Sequence, residues 1–423
     1  MDIRQIEEEI LDPELCAERW FPHDVWTELR SRPSPVWLQP EGFEGFYAIV
    51  KHADLKEIST QPDKFINEPR PFLMEKDRHR LASLMPLKML IQMDPPEHRV
   101  YRKLVSGWFV PRNIKKLEDR MRWSARDLIG RMAAAGTWQG DFVSDIAAIH
   151  PLRLIQYLFG VPDSDGQFLL DVAYGIFGAD DPEFRGGRSD LADLLNLAAE
   201  AFPYFGGIFD ERRRRPTEDL ASAIATARID GKPIPRDRAI GYYIIILTAG
   251  HETTRTAMSG GLHALLENPN ELRKLKQRPE LVRSAVEEMV RWTSPVSQFS
   301  RTATEDYELR GQVIKKGESV GLFYGSANRD EEVFEAPFEF RVDRDPNPHL
   351  GFGVGEHFCL GAALARLEMV AFFEEFIPRV DIDSLEVVGE VEYLASNFVA
   401  GVKHLPLRCR METAPSLLGA RTG

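Results

Sequence analysis

The segment Phe352–Gly361 constrains the possible folds of this chain more than any other feature of its sequence. Its glycines allow a tight turn and let the backbone approach a flat ligand closely. Cys359 stands where a helical pattern begins, so unpaired N–H groups and the positive helix end can stabilise its thiolate. An isolated cysteine is more often a small buried hydrophobic residue. The glycines and the helix start favour instead a cysteine that binds a ligand as a thiolate.

This segment resembles the cysteine-ligand signature of the cytochromes P-450, Phe-x-x-Gly-x-His-x-Cys-x-Gly, at every fixed position. The resemblance implies a mostly α fold with minor β, formed by a single large domain. It also implies that haem b lies between a long central helix and the helix of the cysteine loop. Cys359 would then be the axial ligand of the haem iron, and Phe352 and Gly361 would lie against the cofactor.

The longest predicted helix, from about Arg236 to Glu267, carries the polar run His251–Thr254 directly after an apolar stretch. Because the apolar stretch predicts burial, the acid and the alcohol of this run need a partner or a function. Thr253 can donate to the carbonyl of Ala249 and so loosen the helix locally. The resemblance implies that the two residues pass protons to dioxygen. Thr253 would hold the activated oxygen, and Glu252, which stands where Asp is commoner in the family, would gate protons from solvent.

Two further groups of charged residues match the family at corresponding positions. Glu288 and Arg291 share a helix face, and the resemblance implies a buried pair that a second arginine completes. Arg344 fits that position best, and Arg341 is the weaker candidate. The resemblance also implies charge-assisted hydrogen bonds to the two haem propionates. The side chains at the matching positions are His98, Arg102, Arg301 and His357.

The chain shows no internal repeat or linker, so residues 1–423 are predicted to form one domain. The resemblance covers about residues 20–410, and residues 411–423 are predicted to form a loose tail. Local patterns predict a hairpin over 36–50, a helix cap at Asp94 followed by prolines in the first turn, a helix over 279–293, and an irregular segment over 330–352.

The net charge of −13 argues against nucleic acid or an anionic membrane as a partner, because both require a basic protein surface. The most apolar run, residues 242–247, is much shorter than the roughly 20 residues that cross a bilayer. The N-terminus has neither the basic start nor the apolar core of a signal peptide. Three scattered cysteines do not form a disulfide framework, so the expected location is the cytoplasm.

Within the family, the chain most resembles the bacterial terpineol-hydroxylating branch, through runs such as 326–334 and 397–399. The implied reaction inserts one oxygen atom of dioxygen into a C–H bond of a small hydrophobic substrate, a monoterpenoid or an alkyl-aromatic compound. A steroid or a fatty acid is the alternative, because an apolar pocket discriminates by only about 1–3 kcal/mol per methylene. The pocket is expected to draw on residues 72–91 and on Ile246, Ala249, Pro295, Val296, Phe299 and Phe398.

No flavin-binding segment is visible in the sequence. The resemblance therefore implies that electrons come from an iron–sulfur ferredoxin, which is itself reduced by an NADH-dependent ferredoxin reductase. Ferredoxins are acidic, so docking near Cys359 requires a local basic patch. Arg366 and Arg112 are the candidate residues for this patch.

Two rival functions are compatible with a haem-binding chain of this kind. One is a peroxygenase of the same fold that uses hydrogen peroxide, but such relatives replace the acid and the alcohol that Glu252 and Thr253 provide here. The other is a haem protein that senses a gas without turnover. The complete acid–alcohol pair favours the monooxygenase over both.

Overall fold

The cysteine loop and the long helix with the polar run lie at the centre of a mostly helical fold. The structure, a computed structural model, describes residues 1–84, 87–178, 180–184 and 191–412. The α-helices of these ranges are α1 (Ile3–Glu9), α2 (Pro13–Arg19), α3 (His23–Ser31), α4 (His52–Ser59), α5 (Lys76–Leu84), α6 (Glu97–Ser106), α7 (Pro111–Ile114), α8 (Glu118–Ala134), α9 (Ile149–Phe159), α10 (Gly166–Phe177), α11 (Leu191–Arg214), α12 (Leu220–Ala225), α13 (Arg236–Glu267), α14 (Pro269–Gln277), α15 (Val282–Thr293), α16 (Tyr324–Ala327) and α17 (Ala362–Phe376).

The strands are short and form one larger sheet and several small ones. They are β1 (Val36–Leu38), β2 (Phe46–Ile49), β3 (Phe65–Ile66), β4 (Thr137–Asp141), β5 (Arg228–Ile229), β6 (Lys232–Pro233), β7 (Gln298–Ala303), β8 (Tyr307–Leu309), β9 (Gln312–Ile314), β10 (Ser319–Phe323), β11 (Glu386–Val387), β12 (Glu392–Tyr393), β13 (Val402–His404) and β14 (Pro406–Arg410). The five-stranded sheet has the order β1-β2-β10-β7-β3, with β10 parallel to β2 and antiparallel to β7. The predicted hairpin is confirmed, because β1 pairs antiparallel with β2.

Helix α13 passes through the two largest hydrophobic cores of the described residues, which explains why the stretches on both sides of its polar run are mainly apolar. Its first half, up to Leu247, is buried in one core with residues of α9, α10, α11 and α12. Its second half, from Ala257, is buried in another core with residues of α8, α15 and α17. The polar run therefore lies between the two cores. The predicted bounds of this helix match the structure.

Two local predictions need correction. The carboxylate of Asp94 does not cap α6, because it accepts the backbone N–H groups of Asn67 and Glu68 at 2.7 and 3.0 Å. The helix predicted over 279–293 is a 3₁₀ turn, Pro279–Leu281, followed by α15. By contrast, the irregular segment over 330–352 contains neither helix nor strand, as its lack of a period predicted.

The loose tail predicted over 411–423 needs correction at its first two residues. Met411 is buried and bridges to Val380, and the N–H of Glu412 donates to the carbonyl of Arg379 at 2.6 Å. The chain is thus hydrogen-bonded to the fold as far as residue 412. Residues 413–423 lie outside the described residues.

A buried ion network ties the irregular segment to α15. The Glu288 carboxylate accepts hydrogen bonds from Arg291 at 2.7 and 2.8 Å and from Arg344 Nε at 3.1 Å to each oxygen. Arg341 contacts Glu288 through its backbone N–H, at 2.9 Å, and not through its guanidinium group. Arg344 therefore holds the position for which both arginines were candidates. Since all three network side chains are buried, removal of one leaves a buried charge without its partner.

Replacement of Arg344 by alanine should lower the free energy of unfolding of the protein by about 3–5 kcal/mol, the usual result of breaking a buried ion pair. Urea denaturation followed by circular dichroism measures this change. The matched control is Arg341→Ala, which leaves the Glu288 contacts of Arg291 and Arg344 in place and should cost less than about 0.5 kcal/mol. Equal losses in the two variants would show that the network does not hold the segment.

Candidate active site

The cysteine loop is shaped by glycines that hold backbone conformations other residues rarely adopt. Gly353 and Gly355 have φ angles of +68° and +79°. A Cβ atom at Gly355 would also overlap the carbonyl group of Ser59, at the end of α4. The loop returns on itself, and the N–H of Cys359 donates to the carbonyl of Phe352 at 2.8 Å. The glycines thus bring Cys359 to the start of α17 in a fixed orientation.

The sulfur of Cys359 faces an internal cavity from the beginning of α17. Burial raises the pKa of this thiol above its ordinary value, while the N–H groups of Gly361 and Ala362 and the charges of Arg102 and Arg366 lower it. Burial outweighs the other effects, so the thiol by itself is protonated. A metal cation bound to the sulfur displaces this proton, and the N–H groups then stabilise the thiolate.

The cavity has a volume of about 760 Å³ and lies between α13 and the cysteine loop. All six side chains that the sequence predicted for the pocket line it: Ile246, Ala249, Pro295, Val296, Phe299 and Phe398. Residues 72–74, 78, 79 and 89–91 of the predicted range 72–91 line it as well. The cavity is therefore large, mainly apolar and closed on one side by a cysteine.

Four cationic or potentially cationic side chains also line this cavity: His98, Arg102, Arg301 and His357. The guanidinium of Arg301 donates to the carbonyl of Ser300 at 2.7 Å, and no carboxylate in the described ranges forms an ion pair with it. Burial lowers the pKa of Arg301. The Nε2 atom of His98 is also buried without a partner, and Arg102 reaches only the carbonyl of Phe358, at 2.6 Å. Within the described ranges, no carboxylate forms an ion pair with Arg102 or Arg301, so these two cations are available to an anion bound in the cavity.

The residues present fit haem b. Its iron requires a cysteine at the floor of the cavity, its flat ring requires glycines and apolar walls, and its two carboxylates require the unpaired cations. Phe352 and Gly361 line the same cavity as Cys359, as the sequence predicted. The cavity thus has the features of a haem-thiolate site.

The polar run of α13 forms what we call the threonine notch, made of Ala249, Gly250, Thr253 and Thr254. Thr253 Oγ1 donates to the Ala249 carbonyl at 2.6 Å, and Thr254 Oγ1 donates to the Gly250 carbonyl at 3.0 Å. All four residues line the cavity. The predicted bond of Thr253 to Ala249 is therefore present, and its hydroxyl stands at the cavity wall.

Glu252 lies on the other side of the helix and does not line the cavity. It is fully buried, and its carboxylate contacts His251 Nδ1 at 2.8 Å and Arg255 Nη2 at 2.8 Å. Burial alone would raise the pKa of Glu252, but the charges and hydrogen bonds of Arg255 and His251 lower it to about 2. The other ring nitrogen of His251 lies 2.9 Å from the carbonyl of Ala148. Glu252 is thus held as a carboxylate away from solvent.

The two predicted redox-partner residues lie in different settings. Arg112 is exposed on α7, which packs against α17. Arg366 forms a bidentate ion pair with Glu287, at 2.6 and 2.8 Å, and its guanidinium stacks 4.2 Å from the ring centroid of Phe352. Its contacts favour a role in fixing the cysteine loop to α15. Arg112 is thus exposed at the surface, whereas the charge of Arg366 is engaged within the fold.

Three polar features of the cavity were missed in the sequence. Tyr242 and Glu368 line the cavity, and each has a buried oxygen without a hydrogen-bond partner. Arg78 and Asp180 also line it and form an ion pair between α5 and the segment after α10. The only signal for Glu368 was an acid on an otherwise apolar stretch of α17. The tyrosine gave no signal, since its ring fits the apolar run in which it stands.

Comparison with known proteins gives the same class of site. The family profile described as Cytochrome P450 matches residues 211–392. Cytochrome P450-terp of Pseudomonas sp is 38% identical over 402 residues, which cover 92% of this chain and 93% of the relative. Steroid C26-monooxygenase of Mycolicibacterium smegmatis is 38% identical over 408 residues, which cover 94% and 92%.

The fold is similar to the crystal structure of CYP108D1 from Novosphingobium aromaticivorans, with a TM-score of 0.87 and 34% identity over 96% of this chain and 98% of that one. The chain belongs to the cytochrome P450 family. It is a haem-thiolate monooxygenase with haem b as its cofactor, which confirms the predicted fold class, enzyme class and cofactor. Members of this family use dioxygen and redox partner proteins. Across the described ranges, no helix has the length and apolar character needed to span a membrane.

Proposed function

We propose that this enzyme hydroxylates a small hydrophobic substrate, a monoterpenoid or an alkyl-aromatic compound, with electrons from an iron–sulfur ferredoxin. The observation that carries the proposal is an aromatic wall in the cavity. The rings of Phe72, Phe299 and Phe398 pack edge-on or tilted against one another, with centroids 4.7–5.7 Å apart. Such a wall orients a compact apolar molecule by shape, without a polar anchor.

The residues of the chain perform three tasks in this reaction. When bound, haem supplies the site of dioxygen reduction, and the cysteine thiolate donates electron density that favours cleavage of the O–O bond. The aromatic wall, with Ile246 and Val296, holds the substrate and excludes water from the reacting C–H bond. Thr253 presents its hydroxyl at the cavity wall, where it can hold and pass a proton. The proposed gating role of Glu252 requires that its contacts with His251 and Arg255 open.

A steroid is the second candidate substrate, because a relative with 38% identity carries the name Steroid C26-monooxygenase. Spectral titration separates the candidates. Displacement of water from the haem by a fitting substrate should shift the Soret band of the purified enzyme. We expect tight, saturable shifts with monoterpenoids and alkyl-aromatics and weak ones with steroids and fatty acids. Tighter binding of steroids than of any monoterpenoid or alkyl-aromatic compound would overturn the substrate proposal.

Thr253→Ala should uncouple the reaction. The hydroxyl at the cavity wall is lost, so electrons continue to flow while hydrogen peroxide increases and product per NADH falls by about tenfold or more. Product, peroxide and oxygen consumption are measured with NADH, ferredoxin and reductase. The control is Thr248→Ala, since Thr248 makes the same kind of bond, to Ile244 at 2.9 Å, but does not line the cavity. Normal coupling in Thr253→Ala would remove this residue from proton delivery.

Support for ferredoxin docking comes from a basic segment, residues 98–117. It contains six Lys and Arg residues and no Asp or Glu, although the whole chain carries a net charge of −13. Arg102, near the start of this segment, donates to the carbonyl of Phe358, next to Cys359. The side chains of Lys103, Arg112, Lys115 and Lys116 are exposed. An acidic partner would thus meet positive charge close to the thiolate side of the haem.

Arg112→Glu should slow the first electron transfer from ferredoxin at low ionic strength by about tenfold or more, with a smaller effect at high salt. Stopped-flow absorbance of the reduced carbonyl complex measures the rate. Arg215→Glu is the control with the same charge change, because Arg215 is exposed after α11, which packs mainly on α12 and α13. An equal effect of both charge reversals would show only a general response to net charge. The proposed location of the docking site would then be wrong.

A further inference from the structure

The aromatic wall of the cavity is assembled from three segments that are distant in the chain. Phe299 lies in β7, whereas Phe72 lies between β3 and α5, and Phe398 lies between β12 and β13. Neither Phe72 nor Phe398 is part of a helix or a strand. The positions of these two rings therefore depend on the hydrogen bonds that join their segments to the chain around β7.

Main-chain hydrogen bonds hold the segment with Phe398. The N–H of Ser297 donates to the carbonyl of Phe398 at 2.8 Å, and the N–H of Ala400 donates to the carbonyl of Pro295 at 3.2 Å. Bonds of this kind join one backbone to another and do not require a particular side chain. These two attachments thus use main-chain groups on both sides.

The segment with Phe72 is attached differently. Before this residue, the carbonyl of Pro71 accepts the N–H of Ser300 at 2.8 Å. After it, both main-chain groups of Leu73 bind the carboxamide of Gln298. The N–H of Leu73 donates to Oε1 at 3.0 Å, and Nε2 donates to the carbonyl of Leu73 at 3.0 Å. Among the described residues, Leu73 has no other main-chain hydrogen bond. We call this pair of bonds the Gln298 clamp.

The Gln298 clamp lies directly beside the aromatic wall. Gln298 and Ser300 flank Phe299 in β7, and their partners flank Phe72, so the two rings stand opposite each other with centroids 5.6 Å apart. Both rings line the cavity, while Gln298 is fully buried and does not line it. Gln298 can therefore influence a bound molecule only through the residues that it holds in place.

A carboxamide is the side-chain group that fits this position. Gln and Asn carry a neutral donor and a neutral acceptor side by side, as the N–H and C=O groups of one residue require. Without the carboxamide, two buried main-chain groups of Leu73 would be left unpaired, which favours a shift of the segment. The side chain of Leu73 packs against Gly321 and in a core with Phe46 and Phe323. Because this core keeps the fold together, the shift would be local to the segment with Phe72.

We infer that Gln298 is a positioning residue for substrate specificity. Its carboxamide holds Phe72 in the aromatic wall and thereby sets which C–H bond of the bound substrate is oxidised. This role rests on the proposed function, in which the wall orients a small apolar molecule by shape. Such a molecule has no polar contact that would restore its orientation, so a small displacement of one ring changes the C–H bond that is presented.

Gln298→Met keeps nearly the length of the side chain and removes both hydrogen-bonding groups. With p-cymene, whose methyl and isopropyl groups offer different C–H bonds, this variant should change the ratio of the two oxidation products by about fivefold or more. Gas chromatography of turnover mixtures with NADH, ferredoxin and reductase measures the ratio. Gln298→Asn, which is one methylene too short to keep both bonds, should change the ratio in the same direction.

The matched control is Gln156→Met. Gln156 is also buried, and its amide donates to the main-chain carbonyl of Pro162 at 2.9 Å, but it does not line the cavity or contact the aromatic wall. This variant loses a hydrogen bond of the same kind and should keep the wild-type product ratio. A wild-type ratio in Gln298→Met, or an equal change in Gln156→Met, would overturn the inference.

A double-mutant comparison tests whether Gln298 acts through Phe72. Phe72→Leu removes the ring that the Gln298 clamp positions. In this background, Gln298→Met should leave the product ratio where Phe72→Leu alone places it, because coupled residues do not have additive effects. The same fold-change in both backgrounds would show that Gln298 acts by another route, and the assigned role would be wrong.

Amide hydrogen exchange of the haem-loaded enzyme without substrate observes the Gln298 clamp directly. In Gln298→Met, peptides that contain Leu73 should exchange about tenfold faster or more than in wild type, since the N–H loses its acceptor. Peptides of β7 and β10 should exchange as in wild type. Unchanged exchange at Leu73 would overturn the inference whichever substrate the enzyme takes. If steroids bind more tightly than p-cymene, the proposed substrate class fails, while the exchange result still decides whether the clamp exists.

Discussion

Much of this structure depends on a cysteine sulfur that is held just before the start of a helix and faces the active-site cavity. The N–H groups of Gly361 and Ala362 face the sulfur, while burial disfavours its charge. Such a site is stable as a thiolate only when a cation binds the sulfur. The positive-φ conformation of Gly355, against the backbone of Ser59, fixes the loop that carries it. The fold around the cavity supports Cys359 in the position where its sulfur can bind such a cation.

The charges of the interior are distributed in three separate groups. Cations without carboxylate partners, such as Arg301, surround the cavity where an anionic cofactor belongs. The Glu288 network is fully paired, and it connects the irregular segment to α15. Glu252 is paired as well, outside the cavity, whereas Glu368 lies in the cavity without a partner. Paired groups stabilise the fold, and unpaired groups at a cavity wall are available to ligands and protons.

Several parts of the site could be predicted because a short run of sequence contained all the necessary information. The glycines and Cys359 are close in sequence, and Thr253 and Ala249 are one helical turn apart, so their contact follows from helix geometry. The predicted bounds of α13 match the structure, although a polar run interrupts the apolar pattern of this helix. The choice between Arg341 and Arg344 could not be made from spacing, since both stand in a segment without a period. The fold decided it by placing the guanidinium of Arg344 against Glu288.

The sequence by itself determined the class of the protein, because the ligand loop and the polar run of the long helix depend on residues that are neighbours along the chain. Only the tertiary structure decided the protonation state and accessibility of its acids. Glu252 is a locked carboxylate because Arg255 and His251 lie against it, and Arg366 is engaged because α15 places Glu287 beside it. Glu368 is protonated because helix packing removes water and brings no cation in return. Charge and solvation depend on contacts between distant segments, which local sequence patterns do not contain.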